Sequence, residues 1–333
     1  MISIICPVLN EENFIGACID SIIAQDYPHN DMELIVADGM SNDNTRIVIE
    51  KYIEKYSWIK LIDNPEKIVP TALNRAIKEA KGDIIIRIDA HSTYPSDYVS
   101  ILSKKLIELD ADNVGGVWNT LPANNTLTAI AIAEASKNPF GIGDATYRIG
   151  SNEEREVDTV PFGCFRRSVF DRLGLFDEEL ARNQDDEFNG RIINNGGKIF
   201  IIPSVVIDYY ARPTLKKMSK MFYQYGLFKP LVNKKLGKPA TIRQFFPPLF
   251  VLGVIGGLLL SFILPFMSII YSLGWLLYLL TGLFFSIKYS SHNKAIPLVV
   301  ITFLIIHFSY GWGYLKGLWR LVTKKDNKVE ISR

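Results

Sequence analysis

The fold is decided by the stretch Asp83-Ile-Ile-Ile-Arg-Ile-Asp-Ala-His91, a short apolar run that ends in polar side chains. A run of this length, preceded by Gly82, is typical of a buried strand. Similar apolar runs precede it, and helical patterns lie between them: strands at 2–8, 33–37 and 59–62, helices at 13–24, 44–55 and 71–80. This alternation predicts an α/β fold with a mainly parallel sheet and crossover helices.

The C-terminal third has the composition of membrane helices. No charged residue occurs at 244–287, a run of 44 positions, or at 295–315, a run of 21. At 1.5 Å per residue these runs measure roughly 66 Å and 31 Å, and a hydrocarbon layer is about 30 Å thick. The sequence therefore predicts a transmembrane region at 244–315 with two to three spans.

Charge is distributed unevenly along the chain. Residues 209–243 hold nine Lys or Arg and no acid, 288–294 add two bases, and the tail 316–333 carries +4, which leaves −13 for residues 1–208. Because basic residues stay on the cytoplasmic side, this pattern predicts a cytoplasmic N-terminal domain, a basic amphipathic collar at the membrane interface and a multi-pass location in the cell membrane. Three crossings would place the basic tail outside, against the positive-inside rule, which leaves open that one apolar segment is re-entrant or interfacial.

Overall composition narrows the class further. The chain has 333 residues, 48% hydrophobic and 22% charged, with three cysteines, which excludes disordered and disulfide-stapled proteins. Its start, Met1-Ile-Ser-Ile-Ile-Cys-Pro7, lacks the pattern of a secretory signal. The first strand is followed by Val8-Leu-Asn-Glu-Glu-Asn13 and not by a glycine-rich turn, which disfavours a dinucleotide-binding dehydrogenase.

Three acidic positions are candidate site residues. Asp38 closes the second strand, where it either binds a nucleotide base or ribose or starts a turn with Gly39. Asp89 and His91 close the fourth strand, as ligands for a divalent cation or as ordinary turn residues. In Gln184-Asp185-Asp186-Glu187, the acids either complement a helix dipole or supply a general base whose pKa its neighbours raise.

Together these segments resemble a known family. Pro7-Val-Leu-Asn-Glu-Glu12, Asp38-Gly-Met-Ser-Asn-Asp-Asn-Thr45, Asp89-Ala-His91 and Gln184-Asp-Asp-Glu-Phe-Asn-Gly-Arg191 occur in the order found in family 2 glycosyltransferases of the GT-A fold. Within that family the chain is most similar to the membrane-attached enzymes of succinoglycan-type exopolysaccharide assembly.

The resemblance implies a role for each matched residue. Pro7, Asn10 and Glu11 would line the nucleotide pocket with Asp38. Asp89 and His91 would bind Mg²⁺ or Mn²⁺, with His91 standing where many relatives have a second aspartate. The catalytic base would be Asp185, preceded by Gln184 where glutamate is usual. Arg191 would stabilise the diphosphate or order the site.

The resemblance also implies the activity. The chain would be an inverting hexosyltransferase that moves a sugar, with UDP-glucose as the expected donor, to a hydroxyl of a lipid-linked saccharide, without a nucleic-acid partner. The catalytic domain would span 1–208, with a nucleotide-sugar half at 1–118 and an acceptor half at 119–208. A polyprenyl-phosphate sugar synthase and a non-catalytic membrane scaffold with a GT-A domain stay open as alternatives.

Overall fold

The computed structural model describes residues 1–239 and 241–323. They form two compact units. The sheet unit consists of Met1–Asn119 and Gly150–Tyr209, and the helical unit consists of Thr120–Ile149 and the chain from Tyr210 onward. Of the predicted basic tail, positions 324–333 lie outside the described residues.

The strands belong to one mixed sheet. They are β1 (Ile2–Val8), β2 (Met32–Asp38), β3 (Ile59–Asp63), β4 (Ile84–Arg87), β5 (Ser92–Thr93), β6 (Asn113–Leu121), β7 (Arg155–Glu156), β8 (Cys164–Arg166) and β9 (Ile199–Tyr210). Their order is β3-β2-β1-β4-β8-β6-β9-β5, with β7 paired to β9. The first four strands in this order are parallel, as the sequence predicts, and β8 is antiparallel to both its neighbours.

Helices connect the strands and then form the C-terminal part. They are α1 (Ile15–Ile23), α2 (Thr45–Ile53), α3 (Val69–Glu79), α4 (Tyr98–Glu108), α5 (Leu127–Ser136), α6 (Pro139–Ile142), α7 (Thr146–Ile149), α8 (Arg167–Leu173), α9 (Gln184–Asn194), α10 (Leu215–Leu236), α11 (Phe246–Ile263), α12 (Pro265–Tyr289) and α13 (Ile296–Thr323). The predicted crossover helices α1, α2 and α3 are all present.

The core of the sheet unit explains why the first strands are so apolar. Every residue of β1 and β2 is buried, because the crossover helices of a parallel sheet cover both faces. Ile4, Leu34 and Ile86 from three adjacent strands belong to one hydrophobic cluster. Gly82 before β4 packs so closely on β1 that an added Cβ would lie 2.6 Å from the backbone nitrogen of Ser3.

The helical unit has a core of its own. The predicted helix at 127–137 is present as α5, and it packs with α10 and α13 in a cluster that includes Ala131, Met218 and Phe303. α5 therefore belongs to the helical unit. The chain before it, up to Asn119, and the chain after it, from Gly150 to Tyr209, belong to the sheet unit. Its apolar residues surround the helix on all sides, which is typical of a helix buried among other helices.

Three helical segments are long and apolar enough to cross a membrane. Among the described residues they are Arg243–Ile263, Pro265–Tyr289 and Asn293–Thr323. These segments cover the predicted apolar runs. α11 and α12 follow each other with one residue, Leu264, between them.

Candidate active site

The candidate site lies at the carboxyl edge of the parallel strands. β1 pairs with β2 so that Val8 lies opposite Asp38, and β1 pairs with β4 so that Ile5 lies opposite Arg87. Because parallel strands end at the same edge of a sheet, the loops that follow β1, β2 and β4 meet there. The predicted residues of the first three motifs are therefore brought to one edge.

The loops after β1 and β2 are tied together by hydrogen bonds. The backbone N–H of Asn10 donates to the Ser41 hydroxyl at 2.8 Å, and the Asn10 side-chain oxygen accepts from the Asn42 N–H at 3.0 Å. The Glu11 N–H donates to the Thr45 hydroxyl at 2.8 Å. Asn10 has a φ of 55°, in the left-handed region that asparagine adopts more easily than most residues. These contacts form one rigid wall from two loops.

Asp38 stabilises the loop that follows β2. Its side chain is fully buried, and its carboxylate accepts from the Ser41 hydroxyl at 2.5 Å and from Arg46 Nη1 at 2.9 Å. The same Arg46 nitrogen lies 2.8 Å from Asp63, and the two carboxylates raise the pKa of Arg46, with Asp63 contributing most. Pro7 is buried within β1. The sequence analysis did not single out Arg46, which sits one residue after the matched motif.

Asp89, His91 and Glu11 form the next part of the edge. The side chain of Asp89 is 22% exposed and that of His91 is 17% exposed, and His91 Nδ1 lies 3.8 Å from Glu11 Oε1. The backbone N–H of Asp89 donates to the Tyr94 hydroxyl at 2.8 Å. The His91 ring lies 5.6 Å from that of Tyr209, which pairs with Ser92 across β5 and β9. Both candidate ligands are thus held in place and partly accessible.

The side chains present suit a divalent cation that is completed by its substrate. Among the described residues, no group of three or more His, Cys, Asp and Glu side chains is arranged to hold a metal ion alone. A carboxylate and an imidazole at an accessible edge suit Mg²⁺ or Mn²⁺, ions that keep several positions for water and phosphate oxygens. Asp89 and His91 fit such an ion as a partial ligand set.

Asp185 lies in the first turn of α9, which begins at Gln184. The residue before the helix, Asn183, has a φ of 62°, and the Asp185 carboxylate accepts from the Asp186 N–H at 3.0 Å. Burial raises the pKa of Asp185 above its ordinary value, the charge of Asp186 adds to this, and the cation of Arg87 opposes it. A carboxylate with a raised pKa is a stronger proton acceptor, which suits a general base.

Arg87 is a second candidate site residue that the sequence motifs do not single out. Its side chain is 6% exposed, and Nη2 lies 3.1 Å from Asp89 Oδ1. Although burial disfavours its charged form, the carboxylates of Asp89 and Asp185 raise the pKa of Arg87. Nη1 has no hydrogen-bond partner within residues 1–239 and 241–323. The signal was available, since an arginine inside an apolar strand needs nearby anions.

Arg191 has a different position. Its guanidinium forms an ion pair with Glu187 at 2.5 Å, and Nη1 donates to the carbonyls of Leu173 and Leu175 at 2.7 and 3.0 Å. It also lies 4.9 Å from the centre of the Phe188 ring. Arg191 therefore connects α9 to the end of α8. Two roles were expected for Arg191, and these contacts favour the role of ordering the site.

Comparison with known proteins identifies the class. A mixed sheet with crossover helices and acidic loops at its parallel edge has the architecture of a GT-A nucleotide-sugar transferase. Residues 3–174 match the model of glycosyl transferase family 2, which is more than half of the chain. The chain belongs to this family and is a glycosyltransferase, as the sequence predicts.

Two curated relatives make the family position more specific. The chain is 31% identical over 242 residues, 70% of its length and 74% of the relative, to the dolichyl N-acetyl-alpha-D-glucosaminyl phosphate 3-beta-D-2,3-diacetamido-2,3-dideoxy-beta-D-glucuronosyltransferase of Methanococcus voltae. It is 28% identical over 317 residues, 95% of its length and 94% of the relative, to the succinoglycan biosynthesis protein ExoA of Rhizobium meliloti (strain 1021).

Solved structures confirm the fold. The mannosyltransferase PcManGT from Pyrobaculum calidifontis, in complex with GDP-Man and Mn²⁺, matches with a TM-score of 0.63 at 19% identity, covering 96% of this chain and 87% of that one. TarS residues 1–349 of S. aureus match with a TM-score of 0.54 at 16% identity, covering 99% and 94%. At these identities the similarity supports the GT-A fold alone.

Proposed function

We propose that this protein is an inverting glycosyltransferase that moves a hexose from a nucleoside diphosphate sugar to a hydroxyl of a lipid-linked glycan during polysaccharide synthesis. One observation carries the proposal. The buried Arg87 guanidinium lies 3.1 Å from the Asp89 carboxylate, and the charges of Asp89 and Asp185 both raise the pKa of Arg87. This shared influence supports one site that holds the candidate cation ligand and the candidate base, as a single displacement requires.

The proposed reaction uses one base. Asp185 accepts the proton of the acceptor hydroxyl while that oxygen attacks the anomeric carbon. The bond from the anomeric carbon to the diphosphate breaks in the same step, so the configuration inverts and no covalent sugar intermediate forms. A divalent cation at Asp89 and His91 would supply neutralisation of the charge on the departing diphosphate. Asn10, Glu11 and the loop held by Asp38 form the proposed nucleotide wall.

The proposed substrates follow from the relatives and from the apolar helices. The printed name of the Methanococcus voltae relative describes transfer to a sugar on a dolichyl phosphate, and that of the Rhizobium meliloti relative describes succinoglycan biosynthesis. Three segments among the described residues are long enough to cross a membrane, which supports a membrane-attached, multi-pass enzyme. The proposed cytoplasmic side of the catalytic domain rests on the basic residues at 209–243. UDP-glucose is the proposed donor.

A transfer assay tests this proposal. The full chain in native membranes is supplied with a panel of UDP and GDP sugars and lipid-linked saccharides, and the products are identified by mass spectrometry and the anomeric configuration by NMR. We expect one hexose to be added to a saccharide hydroxyl with inversion. Transfer of the sugar directly to a polyprenyl phosphate would instead identify the polyprenyl-phosphate sugar synthase, and retention of configuration would contradict the single displacement.

Substitution of Asp89 tests the cation site. We expect Asp89→Ala to raise the Mn²⁺ concentration for half-maximal rate by about 10- to 100-fold or more, because loss of even an outer-shell partner of a metal ligand has a cost of that size. The measurement is initial rate against Mn²⁺ and Mg²⁺ concentration. Asp110→Ala is the matched control, because Asp110 is 91% exposed and pairs with Arg166 outside the site. An unchanged metal dependence in Asp89→Ala would remove Asp89 from the proposed ligand set.

The pH dependence of the rate tests the base. Asp185 acts as a base only when ionised, and its pKa is raised, so activity should be present above that pKa and be lost as the pH falls through it. We expect the acid limb of kcat to have its midpoint above about 3.9, the ordinary value for aspartate. Asp186→Asn removes one of the charges that raise this pKa and should move the midpoint downward. A midpoint that Asp186→Asn leaves in place would contradict the assignment.

A further inference from the structure

The apolar hairpin formed by α11 and α12 is largely exposed in the helical unit. The two helices pack on each other, and an added Cβ on Gly257 would lie 2.7 Å from the ring of Tyr271. In α11 the buried residues are Pro248 and Val251, and in α12 they are Gly282 and Ser286. These four positions lie at the hairpin base, near Arg243 and Lys288. The described residues beyond them, toward the tip at Leu264, are largely exposed and apolar, which is the surface that a lipid bilayer covers.

The third apolar helix, α13, contacts the hairpin at this base and about one helical turn beyond it. Gly311 lies against the backbone of Pro247, and the His307 ring is hydrogen-bonded at 2.7 Å to the hydroxyl of Tyr278, which lies one turn outward from Gly282. A third crossing helix would be expected to bury residues along the outer part of the hairpin. The burial in α11 and α12 is instead confined to the base, among the residues that the structure describes.

α13 runs parallel to α10 at very short range. The Ser219 and Ser309 hydroxyls are 2.8 Å apart, and Gly226 and Gly313 leave no room for a Cβ because they face the backbones of Tyr310 and Tyr223. Further along, Gly317 faces the backbone of Leu227. The residue numbers of the contacting positions increase together along both helices, so the two helices run in the same direction. The half of α13 from Ser309 to Gly317 therefore lies at the same depth as α10.

The charges of α10 fix that depth. The helix exposes five lysines at its two ends: Lys216, Lys217, Lys220, Lys234 and Lys235. The 13 residues between Lys220 and Lys234 measure roughly 20 Å, which is too short to cross a hydrocarbon layer about 30 Å thick, so α10 lies outside the hydrocarbon. The partner half of α13 is held there with it. The other end of α13 follows Lys294, which is six residues after Lys288 near the hairpin base.

We infer that α13 lies along the membrane interface and does not cross the bilayer, so that the hairpin alone crosses and both ends of α13 are on the side of α10. The inference rests on the proposed membrane attachment. The exposed side of α13 carries Ile301, Phe308, Trp312 and Trp319, spaced by seven, four and seven residues along one face. Tryptophans on one face of a helix that also carries basic residues are typical of an interfacial helix.

This placement removes the conflict in the charge pattern. With two crossings, Arg243, Lys288 and Lys294 are on the same side as α10, and so are Lys316 and Arg320 near the end of α13. Three crossings would put Lys316 and Arg320 on the opposite side. The partner of the exposed α13 face is the headgroup region of the bilayer, and the exposed Lys316 of that helix is available to anionic lipids.

Cysteine accessibility tests the inference. The native cysteines Cys6, Cys18 and Cys164 are buried and are replaced by alanine in the background protein. Single cysteines are then introduced at three exposed positions: Asn293→Cys before α13, Thr323→Cys at its last residue and Leu264→Cys at the hairpin tip. A membrane-impermeant maleimide is added to sealed vesicles of each orientation, and labelling in detergent confirms that each cysteine reacts in the folded protein.

We expect Asn293→Cys and Thr323→Cys to be labelled in the same vesicle orientation, with loss of labelling in the other, and Leu264→Cys to be labelled in the opposite one. Labelling of Thr323→Cys and Asn293→Cys from opposite sides would overturn the inference, because α13 would then cross. Labelling of Leu264→Cys from the same side as both others would instead contradict the proposed membrane crossing itself. The two failures are thereby distinguished without an activity assay.

Discussion

Asp185→Asn is expected to lower kcat by about 10²- to 10⁴-fold, the contribution of a positioned general base. Asparagine has nearly the shape of aspartate and keeps an oxygen for the Asp186 N–H, so the start of α9 should stay intact. The measurement is kcat and donor KM for the wild type and the variant, together with thermal unfolding. We expect the donor KM and the unfolding temperature to change little, because the substitution removes a proton acceptor and not a fold contact.

The control for this experiment is Asp171→Asn, an exposed aspartate in α8. It should leave kcat unchanged. Near-normal turnover by Asp185→Asn would refute the base assignment. Such a result would favour an acceptor that is already an anionic phosphate and needs no deprotonation, which is the polyprenyl-phosphate alternative.

Arg87→Met is expected to cost about 3–5 kcal/mol of unfolding free energy, the usual effect of removing one partner from a buried ion pair. Arg87 is 5% exposed, and its loss leaves Asp89 and Asp185 without their shared cation. The pKa of Asp185 should then rise further, because Arg87 is the group that opposes the effects of burial and Asp186. The acid limb of kcat should therefore move to higher pH, which denaturant unfolding and a pH–rate profile together measure.

Arg167→Met is the matched control for Arg87→Met. Arg167 donates to the backbone carbonyls of Gly82 and Ala80. Its loss should lower stability without moving the acid limb. An Arg87→Met enzyme with the wild-type acid limb would show that Arg87 supports the sheet and has no influence on the base.

The parallel edge of the sheet could be predicted from sequence because its signals are local. The strands β1 to β4 are short apolar runs separated by helices, and the acids that follow those runs must then lie at one edge. The pairing of β8 between β4 and β6 could not be predicted, since it joins short segments far apart in the chain. The hydrophobic pattern of such short antiparallel strands does not indicate which strands they pair with.

The site residues were also only partly predictable from sequence. The motifs single out Asp38, Asp89 and Asp185 as candidates, but they do not predict which groups these side chains contact. Arg191 was expected at the diphosphate or as an ordering residue, and its bonds to Glu187 and to backbone carbonyls became visible only in the structure. The sequence also does not predict that α5 belongs to the helical unit, because an apolar composition predicts burial but not which elements bury the helix.

The central claim is that Asp185 and the Asp89 and His91 pair serve one sugar transfer. The most direct measurement is the product formed by the wild type and by Asp185→Asn from a nucleotide sugar in native lipid extracts, identified by mass spectrometry in the presence of Mn²⁺. The account predicts a lipid-linked saccharide extended by one hexose in the wild type and a loss of that product in Asp185→Asn. Equal amounts of the same product from both proteins would contradict it.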